Sequence, residues 1–407
     1  MSESISPRPA QDSHRCVAGM GPWRLHGLPA CEGRPILPMM EPMQDAGSST
    51  DADDGTQRTS WQVQAWGRPL QQVRGARPVP TGTEVLVRVH ACGVCHSDLH
   101  IREGAYDLGQ GRSIELTRIG IHLPLTMGHE IVGHVAACGP DAELPMGAPV
   151  VVYPWIGCGA CRHCLTGEEL DCETPRSLGT RRAGGYSSHV LVPHPRYVLP
   201  HDGIDALVAA SASCSGLTAY AALKKLPIHG PDETIVIIGA GGLGLAALGL
   251  VRQLNGARVV VVDASPAKLD GARALADAVI DIRDADSGAQ LRAFAQGGAV
   301  GVVDFVGLPQ TFEWAMAALR KGGTLVEVGL FGGGVSLALP LLPMRHLKIM
   351  GSYVGTLQDF KDLLDLLRRP GVTTVPIQSR PIDQINTIFD DIREGRVAGR
   401  VMALLPD

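Results

Sequence analysis

The sequence has few aromatic residues, no long run of basic residues and no long uninterrupted apolar segment. Aromatic side chains make up 4% of the 407 residues, and the net charge is −5. Because lysine and arginine are not clustered, we expect no nucleic-acid partner. The longest uncharged apolar stretch, 235–251, has 17 residues including five glycines, which is too short and too glycine-rich for a membrane span. We therefore expect a small-molecule partner and no membrane attachment.

The chain is long enough for two or three domains, and 45% of its residues are hydrophobic. Residues 1–60 contain seven prolines, six glycines and no lysine, and they show no hydrophobic periodicity. This segment is predicted to be a disordered N-terminal extension. The first residues include Glu3 and Asp12 and lack a continuous apolar segment, so we expect no secretory signal and a cytoplasmic protein.

Four of the ten cysteines are spaced closely enough to bind one metal ion. They are Cys158, Cys161, Cys164 and Cys172. Four thiolates suit a closed, tetrahedral structural zinc site, although they also suit an iron–sulfur cluster. Clustered Cys-x-x-Cys pairs in a long chain favour reduced, metal-binding cysteines over a disulfide framework.

Hydrophobic patterning divides the rest of the chain into two regions. From about 61 to 200, alternating segments such as 84–90 predict short strands. From about 216, buried apolar strands alternate with helical segments, which predicts βαβ units and a parallel sheet with right-handed crossovers. The predicted strands are 234–239, 258–263, 300–305 and 324–328, and the predicted helices are 243–254, 267–276 and 311–319.

A glycine-rich turn joins the first of these strands to its helix. It consists of Gly239, Ala240, Gly241, Gly242, Leu243 and Gly244. Glycines in a Gly-x-Gly-x-x-Gly turn let a dinucleotide pyrophosphate approach the helix N-terminus. Asp263 ends the next strand, where an acid accepts hydrogen bonds from a ribose 2′-hydroxyl and repels a 2′-phosphate. NAD is therefore predicted in preference to NADP.

Three other residues with metal-binding side chains lie far apart in the sequence. They are Cys95, His129 and Cys214. A lone cysteine or histidine is more often a core residue than a ligand. Spacing alone does not bring these three together.

Several motifs in one order resemble the zinc-dependent alcohol dehydrogenases of the medium-chain dehydrogenase/reductase superfamily. They are Gly-Val-Cys-His-Ser-Asp at 93–98, Gly-His-Glu at 128–130, the four-cysteine segment, Gly-Gly-Tyr at 184–186 and the glycine-rich turn. The resemblance implies an α/β protein with a GroES-like, β-rich catalytic domain at 61–215, which includes a structural zinc lobe at about 157–173. It also implies a Rossmann domain with a doubly wound parallel sheet at 216–352, and a return of residues 353–407 to the catalytic domain.

The same resemblance implies oxidation of an alcohol to an aldehyde or ketone with NAD, two zinc ions per chain, and a homo-oligomer, either a tetramer or a dimer. It assigns Cys95, His129 and Cys214 to a catalytic zinc, Glu130 and Asp98 to its surroundings, Ser97 and His100 to a proton relay, and Thr218, His96, Lys268 and Arg400 to the cofactor.

Two features bear on the substrate. Residues 106–122 form an apparent insertion between Cys95 and His129, and its apolar residues could cover an apolar ligand. We therefore expect an extended pocket and a preference for bulky or aromatic alcohols over ethanol. Trp155 stands where members of the family place a substrate-pocket residue.

Other functions occur in the same superfamily. A polyol dehydrogenase typically replaces the third thiolate with glutamate, and Cys214 argues against it. A non-catalytic member tends to lose the zinc ligands, which are all present here. A zinc-free quinone reductase is disfavoured by the four-cysteine segment.

Overall fold

The structure is a computed structural model that describes residues 56–227, 230–372 and 375–406. Most of the predicted N-terminal extension lies outside the described residues. The expected boundary at residue 60 needs a correction, because it falls inside the first strand, Gln57–Val63. Ser60, Trp61 and Val63 are buried, so this strand already belongs to the core.

Strands and helices alternate irregularly in the first half of the described chain and regularly in the second. The strands are β1 (Gln57–Val63), β2 (Gln71–Ala76), β3 (Val85–Val94), β4 (Ala105–Gly109), β5 (Arg112–Glu115), β6 (Leu125–Thr126), β7 (Glu130–Cys138), β8 (Pro149–Val152), β9 (His189–Val192), β10 (Val198–Pro200), β11 (Thr234–Ile238), β12 (Arg258–Asp263), β13 (Ala278–Asp281), β14 (Ala299–Asp304), β15 (Leu319–Glu327), β16 (Lys348–Gly351), β17 (Ile377–Pro381) and β18 (Arg400–Leu404). The helices are α1 (His96–Glu103), α2 (Arg162–Leu165), α3 (Ala206–Ser211), α4 (Leu217–Lys224), α5 (Gly242–Leu254), α6 (Pro266–Ala272), α7 (Ser287–Phe294), α8 (Pro309–Ala318), α9 (Leu341–Arg345), α10 (Leu357–Leu367) and α11 (Ile385–Arg393).

The first half forms a seven-stranded sheet centred on β3. The strand order is β10-β8-β7-β3-β18-β17, and β9 also pairs with β3. Most of β3 is buried, and only Arg88 and His90 are exposed, as expected for alternating residues at one edge of a core. Val85 and Val87 share one hydrophobic cluster with Trp61 of β1. The smaller sheet β2-β1-β6 therefore packs into the same core.

The second half forms a six-stranded parallel sheet. The strand order is β13-β12-β11-β14-β15-β16, and every neighbouring pair is parallel. The order reverses between β11 and β14, so the loops that follow these two strands diverge and leave a crevice at the carboxyl edge. The predicted strands and helices of this region are present. The elements that were not predicted are α4, β13, α7, α9 and β16.

One helical stretch, Ala206–Lys224, runs without interruption through the expected domain boundary at 215/216. It comprises α3, a π-helical turn over Ala212–Gly216 and α4. The expected boundary at 215/216 therefore falls inside a helical run and not in a connecting loop. The stretch is long and apolar enough to cross a membrane, but 78% of its apolar window is buried inside the protein.

The C-terminal segment returns to the first sheet. β18 pairs antiparallel with β3, and β17 pairs parallel with β18. Asn386 of α11 reinforces this return, because its side chain accepts a hydrogen bond from the Leu70 amide at 2.8 Å and donates one to the Leu70 carbonyl at 3.0 Å.

The insertion at 106–122 contains regular secondary structure and is not an irregular loop. β4 and β5 form an antiparallel hairpin, and a short 3₁₀ turn, Leu116–Ile119, follows it. Gly109, Gly111 and Gly120 have φ angles of 75°, 72° and 82°. Only glycine adopts this left-handed conformation readily, so these three residues provide the bends.

The close approach of α5 to the end of β11 generates a stability prediction. A Cβ on Gly244 would overlap the backbone carbonyl oxygen of Gly239, and backbone cannot move aside as a side chain can. Gly244→Ala is expected to cost about 1–3 kcal/mol of unfolding free energy. Gly271→Ala in α6 is the control, because its Cβ would meet nothing within 4 Å; it is expected to stabilise by about 0.5–1 kcal/mol. Urea unfolding of both variants measures this, and equal effects would contradict it.

Candidate active site and metal centres

The three distant residues Cys95, His129 and Cys214 come together in the structure. Cys95 precedes α1 directly after β3, His129 precedes β7, and Cys214 lies in the π-helical turn. Together with Glu130, they offer ligand atoms that all lie within 4.8 Å of one another. The Cys95 and Cys214 sulfurs are 3.9 Å apart. π-helical turns within α-helices occur frequently at functional sites, and this one presents Cys214 to the cluster.

A buried carboxylate, Asp98, holds two of these residues in place. Its Oδ2 accepts hydrogen bonds from the Cys95 amide at 2.9 Å and the Tyr186 hydroxyl at 2.8 Å. Its Oδ1 lies 3.3 Å from His129 Nδ1. This contact orients the imidazole, and His129 Nε2 has no hydrogen-bond partner among the described residues. A buried ring nitrogen without a partner is what a metal ligand looks like when no ion is present.

The charges around the cluster favour a thiolate at Cys95. A hydrogen bond from Cys214 and the positive charges of Arg400 and His129 hold the pKa of Cys95 well below the ordinary thiol range, against the effect of burial. Burial raises the pKa of Glu130 to about 7, although Arg400 opposes the rise. Arg400 is buried and forms an ion pair with Glu130. A buried site with two cysteine sulfurs and a histidine ring nitrogen suits zinc, whose binding would displace a proton from the ring.

The four-cysteine segment forms a second compact cluster. The ligand atoms of Cys158, Cys161, Cys164 and Cys172 lie within 4.8 Å of one another. Amide groups of Ala160 and Cys161 donate to the Cys158 sulfur at 3.4 and 3.3 Å, and these bonds lower the pKa of Cys158 to about 6. Because all four ligands come from protein, this set leaves no open position and fits a structural zinc.

The glycine-rich turn and two residues of the Cys95 cluster, Cys95 and Cys214, line one cleft of about 730 Å³. Asp263 lies at one end, where its two carboxylate oxygens accept from the Ala240 and Ser265 amides at 2.7 and 2.8 Å. These bonds fix the carboxylate at the carboxyl end of β12. Every residue that the sequence analysis assigned to the cofactor lines this cleft, namely Gly239, Gly241, Gly242, Leu243, Gly244, Asp263, Lys268, Thr218, His96 and Arg400.

The residues of the expected proton relay also line the cleft. Ser97 and His100 lie on successive turns of α1. Burial lowers the pKa of His100, so its ring is neutral at pH 7 and can accept a proton. His100 Nε2 is buried without a hydrogen-bond partner among the described residues, which leaves it available.

Aromatic residues form the walls beside the Cys95 cluster. The Trp155 ring lies 5.2 Å from the His129 ring and 5.8 Å from Tyr353, and its Nε1 donates to the Ser213 carbonyl at 3.0 Å. Phe331 stacks on His96 at 4.6 Å. Sequence reasoning singled out Trp155 but missed Tyr353 and Phe331, which carry no local motif.

A second cavity of about 610 Å³ adjoins the cleft, and the insertion lines one side of it. The insertion contributes mainly apolar side chains, whereas the opposite side comes from the loops after β14 and β15. Residues that line both cavities are Tyr106, Leu308, Gly329, Leu330 and Tyr353. Glu327 at the end of β15 also lines the second cavity, and the sequence analysis did not single it out.

Comparisons with known proteins agree with this geometry. The alcohol dehydrogenase GroES-like domain family matches residues 81–202, and the zinc-binding dehydrogenase family matches residues 242–369. A NAD-dependent alcohol dehydrogenase of Sulfurisphaera tokodaii is 36% identical over 338 residues, which cover 82% of this chain and 96% of that protein. The chain belongs to the zinc-binding alcohol dehydrogenase family.

Solved structures of related proteins have the same fold. The alcohol dehydrogenase of Aeropyrum pernix superposes with a TM-score of 0.76 at 29% identity and covers 85% of this chain and 99% of that one. An acetophenone reductase of Geotrichum candidum, solved in complex with NAD, gives a TM-score of 0.74 at 26% identity, with 86% and 98% coverage. The two cysteine-containing clusters of this family member are consistent with two zinc ions per chain.

The two clusters predict different consequences of losing a ligand. Cys158→Ser is expected to remove one zinc and to lower thermal stability, because the metal binding energy of a closed site contributes to folding. Cys214→Ser is expected to remove the other zinc while the melting temperature changes little. Metal content by mass spectrometry and calorimetric melting measure both effects. Iron in place of zinc, or a single metal per wild-type chain, would contradict the assignment.

Proposed function

We propose that the protein is a zinc-dependent alcohol dehydrogenase that transfers a hydride between an alcohol and NAD and yields an aldehyde or ketone. The observation that carries this proposal is that Cys95, His129 and Cys214 converge, and that Cys95 and Cys214 line the same cleft as the glycine-rich turn and Asp263. A metal cluster beside a dinucleotide site is the arrangement that hydride transfer from an alcohol requires. The names of the relatives support NAD as the cofactor.

Bound at these sites, zinc supplies a Lewis acid and NAD supplies a hydride acceptor, which no side chain offers. The chain's own residues position the reactants and move the proton. Asp98 keeps the His129 ring in one orientation. Ser97 accepts the alcohol proton, and neutral His100 carries it toward solvent. The buried ring of Trp155 excludes water from the reacting end of the substrate, where a dry environment strengthens every charge interaction.

The alternatives from the same superfamily receive less support. Cys214 occupies the position where a polyol dehydrogenase typically has glutamate. A non-catalytic protein has no need to keep an unpartnered buried His129 Nε2 beside two sulfurs. The four-cysteine cluster also speaks against a zinc-free reductase.

The second cavity supports an extended substrate site. Tyr106, Ile114 and Ile121 of the insertion face Leu308 and Phe312 across it, so an apolar substrate would be buried between the two halves of the protein. Its volume of about 610 Å³ exceeds what ethanol needs. We therefore infer a preference for bulky or aromatic alcohols.

An exposed sheet edge supports a homo-oligomer. All four residues of β16 are exposed at the edge of the parallel sheet, including the apolar Ile349 and Met350. Leu339 and Met344, which precede the strand, are also exposed. An open strand edge with apolar neighbours is a template for pairing with a second copy. We infer a cytoplasmic dimer or tetramer that uses this edge.

The proposed activity is tested by NADH formation from a panel of alcohols with the zinc-loaded protein. Oxidation of at least one primary or secondary alcohol is expected, and kcat/KM for NAD is expected to exceed that for NADP by at least ~10-fold, since the Asp263 carboxylate repels a 2′-phosphate. Asp263→Gly should shrink this ratio. No turnover with any alcohol would contradict the function, and equal use of both cofactors would contradict the role of Asp263.

The insertion generates a separate prediction about substrate size. Replacing residues 106–122 by a short Gly/Ser link removes one wall of the second cavity. The KM for a large aromatic alcohol is expected to rise by about tenfold, because apolar surface buried against the hairpin is lost, while ethanol kinetics change little. Steady-state kinetics with both alcohols measure this. Equal losses on both would assign the hairpin to structure or subunit contact.

A further inference from the structure

Glu327 is an ionisable residue in a place where the fold does not require one. It ends β15, whose preceding residues Thr324, Leu325 and Val326 are buried, and it lines the second cavity. Both of its carboxyl oxygens are buried, and neither has a hydrogen-bond partner among the described residues. The proposed transfer of hydride and proton does not use it.

The neighbourhood of Glu327 makes this carboxyl group costly to the free protein. The strand register pairs Glu327 with Asp304 of β14, and Asp304 is fixed by hydrogen bonds from the Val306 and Gly307 amides at 2.8 and 3.2 Å. Burial, together with the Asp304 charge, raises the pKa of Glu327 to about 8. A buried carboxyl group without partners destabilises a fold, so a protein that keeps one at a cavity wall can use it for a ligand.

No cation in the described part of the chain lies against Glu327. Arg181 also lines the cavity. Its charge partly opposes the rise that burial causes in the pKa of Tyr106 and Tyr353, which border the cleft. Its guanidinium donates a hydrogen bond to the Ile119 carbonyl at 2.6 Å. Asp107 is the remaining charged residue of the lining; it is exposed, and its carboxylate accepts from the Gly109 amide at 2.8 Å. Among the charged or ionisable residues that line this cavity, Glu327 is therefore the one in the described part of the chain whose buried carboxyl oxygens have no hydrogen-bond partner.

We propose that Glu327 is a specificity-determining residue that binds a cationic, hydrogen-bond-donating group, a primary ammonium, at the end of the substrate remote from its hydroxyl. The substrate class is an amino alcohol whose two polar ends are separated by an apolar or aromatic body. This inference rests on the proposed function, because it takes the second cavity as the continuation of the alcohol site.

The arrangement of the two cavities fits such a substrate. Gly329 and Leu330, which directly follow Glu327 and Val328, line both the cleft and the second cavity. A substrate with its hydroxyl at the Cys95 cluster would lay its body along Leu308 and Phe312 and bring its ammonium to Glu327. An ammonium placed there gains a charge-assisted hydrogen bond in a region of low dielectric.

The test compares two substrates of nearly equal shape, para-aminomethylbenzyl alcohol and para-ethylbenzyl alcohol, on the zinc-loaded enzyme. The wild type is expected to favour the amine in kcat/KM by at least ~10-fold, and Glu327→Gln should bring the ratio close to one. Glu115→Gln is the matched control, because Glu115 is an exposed acid of the hairpin paired with Arg118 at 3.6 Å and does not line the cavity. Its ratio should equal that of the wild type.

The pH dependence of this kcat/KM ratio distinguishes a charge interaction at Glu327 from a loss of packing, because a loss of packing would not change with pH. The ammonium stays charged up to about pH 9, whereas Glu327 ionises near pH 8. The wild-type ratio is expected to rise between about pH 6.5 and about pH 8.5, and the Glu327→Gln ratio is expected to stay flat. Asp304, Asp107 and Arg181 are unchanged in this variant, so they cannot account for the difference.

Calorimetric binding of the same two compounds separates this inference from the proposed function. If plain benzyl alcohol is oxidised but the amine has no advantage in kcat/KM or in binding, the role of Glu327 is wrong and the function stands. If no alcohol is oxidised, the proposed function fails, and the binding constants still decide: tighter binding of the amine that Glu327→Gln abolishes supports the inference, and equal binding overturns it.

Discussion

The buried carboxylate of Asp98 is the contact on which the candidate active site depends. It accepts hydrogen bonds from the Cys95 amide and the Tyr186 hydroxyl, and it lies 3.3 Å from the His129 ring nitrogen Nδ1. These three groups come from the start of α1, the segment before β9 and the loop before β7, which are remote in sequence. Because Asp98 is inaccessible to solvent, it cannot exchange these partners for water without a large cost. It therefore fixes two of the three candidate zinc ligands relative to each other.

A second buried contact connects this cluster to the cofactor side of the cleft. Arg400, the first residue of β18, forms an ion pair with Glu130 beside the cluster. A Cβ on Gly242 would lie 2.7 Å from Arg400 Cδ, so the glycine at the start of α5 leaves room for the arginine. The C-terminal strand thus joins the metal cluster and the glycine-rich turn. Removing only one partner of such a buried pair leaves the other charge buried without compensation, which strongly destabilises the fold.

The sequence predicts the local parts of this arrangement and not the long-range ones. The four cysteines and the glycine-rich turn have short spacings, so their ligands and their turn are determined by neighbouring residues. Cys95, His129 and Cys214 are joined only by the tertiary fold, and only the resemblance to a family brought them together. The boundary expected at 215/216 falls inside the helical run Ala206–Lys224. Glu327 was missed because the hydrophobic pattern of a strand predicts which residues are buried but not whether a buried carboxyl group has a hydrogen-bond partner.

Two different candidate metal clusters lie in one chain, and the cysteines of one of them line the cofactor cleft. Crystals of the zinc-loaded protein measured on both sides of the zinc absorption edge show directly where the metal binds. We expect two anomalous peaks per chain, one among the sulfurs of the four-cysteine cluster and one between Cys95, His129 and Cys214. A single peak at the four-cysteine cluster, from protein that still oxidises alcohols, would contradict a catalytic zinc at Cys95, His129 and Cys214.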